Sequence, residues 1–146
     1  MARVQLELPE KFLFATEIQV RVTDINYGGH LGNDTILSFL SEARMRFLAH
    51  YGLKELDMFG GGLVVADASI VYKTEAFHGE TLRIEVTVAD FNKYGCDFFY
   101  RVTEKTSGRE VARAKTGNVF FDFQQRRLQL LPEPFRALFA DGSAPI

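Results

Sequence analysis

The sequence predicts an α+β fold in which a five-stranded antiparallel sheet wraps around one long helix. One alternating apolar and polar segment comes first, an amphipathic segment of about 18 residues follows, and four more alternating segments come after it. A lone helix with a broad apolar stripe can bury it only on the concave face of a twisted sheet. With 146 residues, the chain is expected to form one domain over 1–146.

The first strand is predicted where Ile18, Val20 and Val22 alternate with polar residues. This is the period-two pattern of a strand with one buried face. We expect the strand to end near Asp24, where polar residues and glycines take over.

The helix is predicted to begin at about Asp34 and to stop at Gly52, because glycine readily adopts the left-handed conformation that ends helices. Its apolar stripe at helical spacing consists of Ile36, Leu37, Leu40, Ala43, Phe47, Leu48 and Tyr51. Asn33 or Asp34 is expected to cap the first turn, since a short side-chain oxygen can accept from an unpaired backbone amide.

The second half is predicted to be an antiparallel meander. Alternating apolar residues indicate strands over about 63–73, 82–88, 96–104 and 111–121, with turns between them. The segment 132–139 indicates a short helix that buries phenylalanines, and residues from Ala140 onward are expected to fray. The strand at 63–73 would leave an unpaired edge, which a second copy related by a two-fold axis could cover. We therefore expect a homodimer.

The composition limits the possible functions. The chain has 47% hydrophobic and 25% charged residues and a net charge of −2, which argues against disorder and against a broad basic surface for nucleic acid. No apolar run approaches the ~20 residues that span a bilayer, and the first residues lack the apolar core of a signal peptide. These features favour a small-molecule partner, no membrane partner and a cytoplasmic location.

Cys96 is the only cysteine, so no disulfide can form within the chain. It lies within an alternating strand pattern, which favours a buried thiol over a nucleophile.

The connector between Asp24 and Asp34 is the segment that most strongly indicates chemistry. It carries three glycines and a histidine and leads into the helix, whose first amides and positive dipole end favour an oxyanion. A backbone amide between Gly29 and Gly32 is a candidate donor to a substrate carbonyl, although a tight turn alone also needs such glycines.

Candidates for activating water are Asp24, His30, Asp34 and Glu42. Histidine exchanges protons readily at neutral pH, yet His30 could instead hold the connector through a backbone hydrogen bond. Asp34 could be a base or a helix cap. Glu42 precedes Arg46 by four residues, which favours a solvated ion pair.

Taken in order, these segments resemble the hot-dog-fold acyl-CoA thioesterases of the 4-hydroxybenzoyl-CoA thioesterase-like group. The similar segments are DINYGGHLGND at 24–34, SEAR at 41–44, ASIVYK at 68–73 and FHGE at 77–80. Each is weak alone, but their order and spacing over about residues 16–122 resemble the group.

The resemblance implies a hot-dog fold and hydrolysis of acyl-CoA or acyl-carrier-protein thioesters without a metal or cofactor. It also implies a dimer, or a dimer of dimers, with a sheet continuous across the two-fold axis and active sites between subunits. The acyl group would enter a channel beside the helix while the CoA lies along the surface.

One position departs from the group. Its loop typically carries a second Asp, the catalytic carboxylate of the 4-hydroxybenzoyl-CoA enzyme, where this chain has Asn26. An amide cannot accept a proton at neutral pH, so Asn26 can only orient a water or the substrate carbonyl. The catalytic candidates are therefore Asn26, His30 and Asp34.

The departure at Asn26 also favours an alternative, a non-catalytic acyl-CoA-binding hot-dog protein that has lost its catalytic carboxylate. A hot-dog dehydratase is less favoured, because it needs a histidine and a carboxylate that face each other and the connector offers no convincing pair.

The candidates for substrate binding are Gly29, Asn33, Glu42, Tyr72 and Lys73, and no metal site is expected. Glu42 stays a candidate because other hot-dog thioesterases use a helix carboxylate. Lys73 and Arg44 are candidates for contacts with CoA phosphates, and Tyr72 and Tyr94 for flanking the CoA.

Overall fold

The computed structural model describes residues 3–139 and shows one long helix in the curve of an antiparallel sheet. The elements are β1 (Phe14–Gln19), α1 (Thr35–His50), β2 (Gly62–Tyr72), β3 (Thr81–Ala89), β4 (Gly95–Glu104), β5 (Glu110–Asp122), β6 (Arg127–Leu128) and α2 (Glu133–Phe139). The α+β class and the sheet wrapped around a single long helix are confirmed. The fraying expected from Ala140 onward lies outside the described residues.

The strands pair antiparallel in the order β1, β3, β4, β5, β2, and β6 pairs with β5. Among the described strands the sheet has one more member than the five predicted, namely the two-residue β6. It forms because the Asp122 carboxylate accepts the amides of Gln124 at 2.9 Å and Gln125 at 3.0 Å, which turns the chain back on itself.

The first strand ends earlier than predicted, at Gln19, and Val22–Asp24 forms a short 3₁₀ turn. The cause is local, because the Arg21 amide donates to the Asp24 carboxylate at 2.8 Å and the Arg21 guanidinium donates to the same group. These bonds bend the chain where a strand would have continued its ladder. Burial opposes ionisation of Asp24, but the hydrogen bonds from Arg21 outweigh it and lower the pKa of that carboxyl.

Helix α1 begins one residue after Asp34, but neither predicted cap side chain serves it. Asp34 occupies the cap position with helical φ and ψ and makes no capping hydrogen bond through its side chain. The amides of Thr35 and Ile36 donate instead to the Gly32 carbonyl, at 3.1 and 3.3 Å. The predicted stop is confirmed, since Gly52 has φ +75° and the chain leaves the helix there.

The core lies between α1 and the concave face of the sheet. Phe47 on α1 is fully buried and meets Phe98 of β4 in an edge-to-face contact at 5.9 Å. Leu37 was predicted to share the stripe but is 42% exposed, because it lies at the side of the helix. Cys96 is buried as predicted, and burial followed by the charge of Asp97 raises the pKa of its thiol. Over residues 3–139, neither helix combines the length and the apolar character that crossing a bilayer requires.

Glu104 closes the turn between β4 and β5, where its carboxylate accepts the amides of Thr106 at 2.9 Å and Ser107 at 2.8 Å. These bonds lower the pKa of Glu104 to about 2. Because this pKa is lowered in the folded state, the carboxylate stabilises the fold fully above its ordinary pKa of 4.5, and the stabilisation is lost as pH falls toward 2.

We therefore expect Glu104→Gln to lower the melting temperature at about pH 7, and the difference from wild type to disappear near pH 2, where the native side chain is also neutral. Thermal unfolding followed by circular dichroism across this range measures it. An equal difference in melting temperature at pH 7 and near pH 2 would show that the charge of Glu104 is not what stabilises the turn.

Candidate active site

The connector between β1 and α1 folds back on itself, and its last residues are hydrogen-bonded to the segment that follows β2. The Asn26 amide donates to the His30 carbonyl at 2.9 Å, and Gly29 takes a φ of +85° that a side chain would strain. The Gly32 amide donates to the Asp24 carbonyl at 3.1 Å, and the Leu31 amide to the Ala76 carbonyl at 2.8 Å. The last bond fixes the connector against the segment that follows β2.

A cavity of about 520 Å³ opens between the start of α1, the end of β2 and the segment 73–76. Four of the predicted site residues line it: His30, Asn33, Tyr72 and Lys73. The remaining lining residues are Leu31, Gly32, Ile36, Thr74, Glu75, Ala76 and Val111. The cavity thus joins an apolar interior to a polar rim at a helix start, which suits a ligand with one reactive polar group.

The backbone amides that could receive an oxyanion coincide only in part with those predicted. Within the predicted range, the Gly29 amide donates to the Asn26 carbonyl at 3.0 Å and those of Leu31 and Gly32 are also occupied, which leaves the His30 amide as the candidate donor of that range. Within residues 3–139, the amides of His30, Asn33 and Asp34 have no acceptor. Two of these three belong to residues that line the cavity, so unpaired donors do lie beside it.

His30 meets a carboxylate that the sequence analysis did not single out. Its Nε2 lies 3.2 Å from Glu75 Oε2, and its Nδ1 lies 3.1 Å from the Leu31 carbonyl oxygen. Glu75 follows β2, and the sequence gives no signal that this segment returns to the connector. The histidine and carboxylate pair that the connector alone does not supply is therefore completed by another part of the chain.

Asn26 is half-buried and does not line the cavity. Its Oδ1 accepts the Gly28 amide at 2.9 Å, so in this structure the side chain holds the connector turn. The Asn26 side chain and the His30 imidazole lie side by side next to Gly28. A Cβ added to that glycine would be 3.2 Å from Asn26 Oδ1 and 3.3 Å from His30 Nε2.

Asp34 lies next to the cavity without lining it. Its carboxylate lies close against Gly32, since a Cβ added to that glycine would be only 2.8 Å from Asp34 Oδ1. Tyr72 donates its hydroxyl hydrogen to the Asn33 carbonyl oxygen and so connects the end of β2 to the helix start. Burial, followed by the negative charge of Asp34, raises the pKa of Tyr72.

Other predicted contacts lie outside the cavity. Glu42 forms the expected exposed ion pair with Arg46, at 2.7 Å, and does not line the cavity. Arg44 is 4% exposed and pairs with Glu55 and the Tyr100 hydroxyl, so its predicted contact with CoA phosphates is wrong. Tyr94 lines a separate surface groove of about 580 Å³, whereas Tyr72 lines the first cavity.

A family model for the thioesterase-like superfamily matches residues 20–139 of this chain. A 1,4-dihydroxy-2-naphthoyl-CoA hydrolase from Synechocystis is 27% identical over 137 residues, covering 90% of this chain and 98% of the relative. The crystal structure of a Synechocystis 1,4-dihydroxy-2-naphthoyl-CoA thioesterase has a TM-score of 0.80 at 24% identity, covering 90% of this chain and 98% of that one.

A second solved structure, a DHNA-CoA thioesterase from Staphylococcus aureus, has a TM-score of 0.77 at 18% identity and covers 90% of this chain and 95% of its own. At these identities the structural likenesses show the fold, which is the hot-dog fold. The family model adds sequence evidence over most of the chain, including the connector and α1. This protein therefore belongs to the thioesterase-like superfamily.

Proposed function

We propose that this protein is an acyl-CoA thioesterase that works at the cavity beside the start of α1, converting an acyl-CoA and water into a free acid and CoA. The observation that carries this proposal is that unpaired backbone amides and the His30 imidazole border one cavity of about 520 Å³. Thioester hydrolysis needs both a donor for the carbonyl oxygen and a group that exchanges protons. A cytoplasmic location, where acyl-CoA forms, is part of the proposal.

Each predicted residue has a proposed role. The amide of Asn33, which lines the cavity, and the adjacent amide of Asp34 polarise the thioester carbonyl. Asn26 lies outside the lining but beside the His30 imidazole, and it orients water or substrate through its side-chain Nδ2, which the hydrogen bond to Gly28 leaves free. His30 assists proton transfer, and the Asp34 carboxylate is a second candidate for that task.

The residues that line the cavity support the proposed substrate contacts. Tyr72 and Lys73 hold the thioester end at the rim, and the apolar Ile36 and Val111 receive the acyl group. Gly29 contributes by seating His30 in the turn. Glu42 lies away from the cavity of its own chain, so a binding role for it depends on a site shared with another subunit.

The exposed edge of β2 supports a homodimer as the active form. β2 is an edge strand of eleven residues, and its exposed stretch, residues 65–68, includes Val65 at 46% exposure. Such an edge offers unpaired backbone groups to a second copy. Antiparallel pairing across a two-fold axis would bring the start of the partner's β2 beside Tyr72 and Lys73, so each cavity would lie at the subunit boundary.

Sedimentation at micromolar concentration is expected to give twice the chain mass of 16.5 kDa, or four times if dimers associate. Val65→Lys is expected to give the monomer, because it places an ammonium in the strand pairing. The matched control is Val4→Lys, since Val4 is also exposed, at 62%, but lies in the N-terminal segment. A wild-type monomer would remove the dimer from the proposal.

The activity test is release of free CoA from a panel of acyl-CoAs, followed with a thiol-trapping reagent. The panel includes aliphatic and aromatic substrates, with 1,4-dihydroxy-2-naphthoyl-CoA among them because the Synechocystis relative carries that name. We expect at least one substrate to be hydrolysed with saturation. Release equal to the no-enzyme control throughout the panel would overturn the enzymatic proposal.

The amide at Asn26 favours one second candidate, a protein that binds acyl-CoA without hydrolysing it. That function predicts thermal stabilisation by acyl-CoA without release of thiol. The same panel separates the two, because each substrate that stabilises the protein can be followed for turnover in the same sample.

A further inference from the structure

We infer that Glu75, paired with His30, is the general base of this site and takes the role of the carboxylate that Asn26 replaces. The inference rests on the proposed thioesterase function. It names a residue outside the connector, from the segment that follows β2.

The geometry of His30 provides the first argument. Its Nδ1 lies 3.1 Å from the Leu31 carbonyl oxygen and its Nε2 lies 3.2 Å from Glu75 Oε2, so both ring nitrogens face acceptors. A neutral imidazole carries one N–H and satisfies only one acceptor, whereas the imidazolium satisfies both. A proton carried on Nε2 would point at the Glu75 carboxylate, so the pair can pass a proton from one side chain to the other.

Glu75 is held in place by its own backbone and its neighbour's. The Glu75 carbonyl oxygen accepts from Arg109 Nη2 at 2.8 Å, and the Ala76 carbonyl accepts the Leu31 amide at 2.8 Å. The connector and the segment 73–76 thus form one unit, so the exposed Glu75 side chain starts from a fixed backbone. The contact with His30 Nε2 then positions the carboxylate, and a positioned proton acceptor is what general-base catalysis needs.

The other carboxylates near the connector are engaged or displaced. Asp24 is buried and accepts from Arg21, and Glu80 is paired with Arg109 at 2.8 Å. Asp34 lies outside the cavity lining. Among residues 3–139, Glu75 is the acidic residue that lines the cavity.

The step balances without any further reactant. The Glu75 carboxylate accepts one proton as the water oxygen bonds to the thioester carbon, and the carbonyl oxygen takes the negative charge at the Asn33 and Asp34 amides. Collapse of this intermediate breaks the C–S bond, and its electron pair leaves on sulfur. The proton held between Glu75 and His30 then passes to the thiolate, which yields the free acid and CoA.

Charged and titratable groups surround this pair on several elements. Tyr72 ends β2 and Lys73 follows it, and both line the cavity. Asp34 lies immediately before α1, and the Arg109 guanidinium donates to the Glu75 carbonyl oxygen. A carboxylate acts as a general base only in its deprotonated form, so kcat/KM of the wild type should depend on pH. A Gln at position 75 cannot accept a proton, so that dependence should change shape.

The experiment compares Glu75→Gln with wild type on the best substrate of the acyl-CoA panel. We expect kcat to fall about 100-fold with KM little changed, because the base acts in the transition state. The acid limb of the pH profile should flatten as well. Glu10→Gln is the matched control, since Glu10 is an exposed glutamate in the N-terminal segment, and it should keep the wild-type rate.

A second variant separates the loss of the carboxylate from a general loss of folding or activity. Asn26→Asp in the Glu75→Gln background restores a carboxylate where the family's connector carries one. We expect the double variant to have a kcat at least tenfold higher than that of Glu75→Gln. Wild-type kcat in Glu75→Gln would overturn the role of Glu75 while leaving the thioesterase proposal intact. An inactive wild type would overturn both.

Discussion

Asp34→Pro is expected to lower kcat for acyl-CoA hydrolysis by about 100- to 1,000-fold, the usual effect of removing one oxyanion donor. The Asp34 amide has no acceptor among residues 3–139, so proline removes a donor that the fold itself does not use. The backbone suits the change, because Asp34 has φ −80° and ψ −31° and lies immediately before the first turn of α1.

The matched control is Asp34→Ala, which removes the carboxylate but keeps the amide. If the amide is the functional group, the alanine variant stays within a few-fold of wild type and only the proline variant loses activity. Equal losses in both variants would assign the function to the Asp34 carboxylate instead. Melting temperatures of both variants check that proline leaves α1 intact, since it also restricts the preceding Asn33.

Glu55→Ala is expected to destabilise the fold by about 3 kcal/mol, the lower end of the range for breaking a buried ion pair. Glu55 lies outside α1 and reaches Arg44, whose side chain is 5% exposed, whereas that of Glu55 is 18% exposed. Without Glu55, the partners left to the guanidinium among residues 3–139 are the Tyr100 hydroxyl at 3.0 Å and the Ser41 hydroxyl at 3.4 Å. Because the Glu55 side chain is 18% exposed, water can partly solvate the Arg44 guanidinium once the carboxylate is removed. We therefore expect a loss at the lower end of the range.

Urea unfolding of Glu55→Ala, Arg44→Met and the double variant measures this effect. The double variant should be more stable than Glu55→Ala, because an apolar side chain no longer leaves a charge without its partner. If the double variant lost the sum of the two single effects, Arg44 and Glu55 would be acting independently and the ion pair would not be what holds α1 to the segment before β2.

Much of the fold follows from periodicity in the sequence. The alternation from Leu82 to Val88 and the stripe from Ile36 to Phe47 predict their elements within a few residues, since a buried face imposes the pattern. The errors occur where side chains bond to the backbone. Asp24 ends β1 early through Arg21, and Asp122 creates the extra strand β6, and neither bond leaves a periodic signal.

The site was predicted less completely than the fold. The connector and its helix start were predicted, and four of the named residues line the cavity. Glu75 was missed because its proximity to His30 depends on how the chain returns after β2, which is a tertiary contact. Arg44 was assigned to the CoA phosphates because a cation near the mouth of the expected channel would favour them, whereas here Arg44 is buried with its partners Glu55 and Tyr100.

The most direct test of the central claim is a crystal structure with a non-hydrolysable ketone analogue of acyl-CoA, in which a methylene group replaces the sulfur. We expect the ketone oxygen about 3 Å from the amide nitrogen of Asn33 or Asp34, with the Glu75 carboxylate facing the carbonyl carbon across a gap that holds one water. A ketone bound away from the start of α1, or with its oxygen turned away from both amides, would contradict the account.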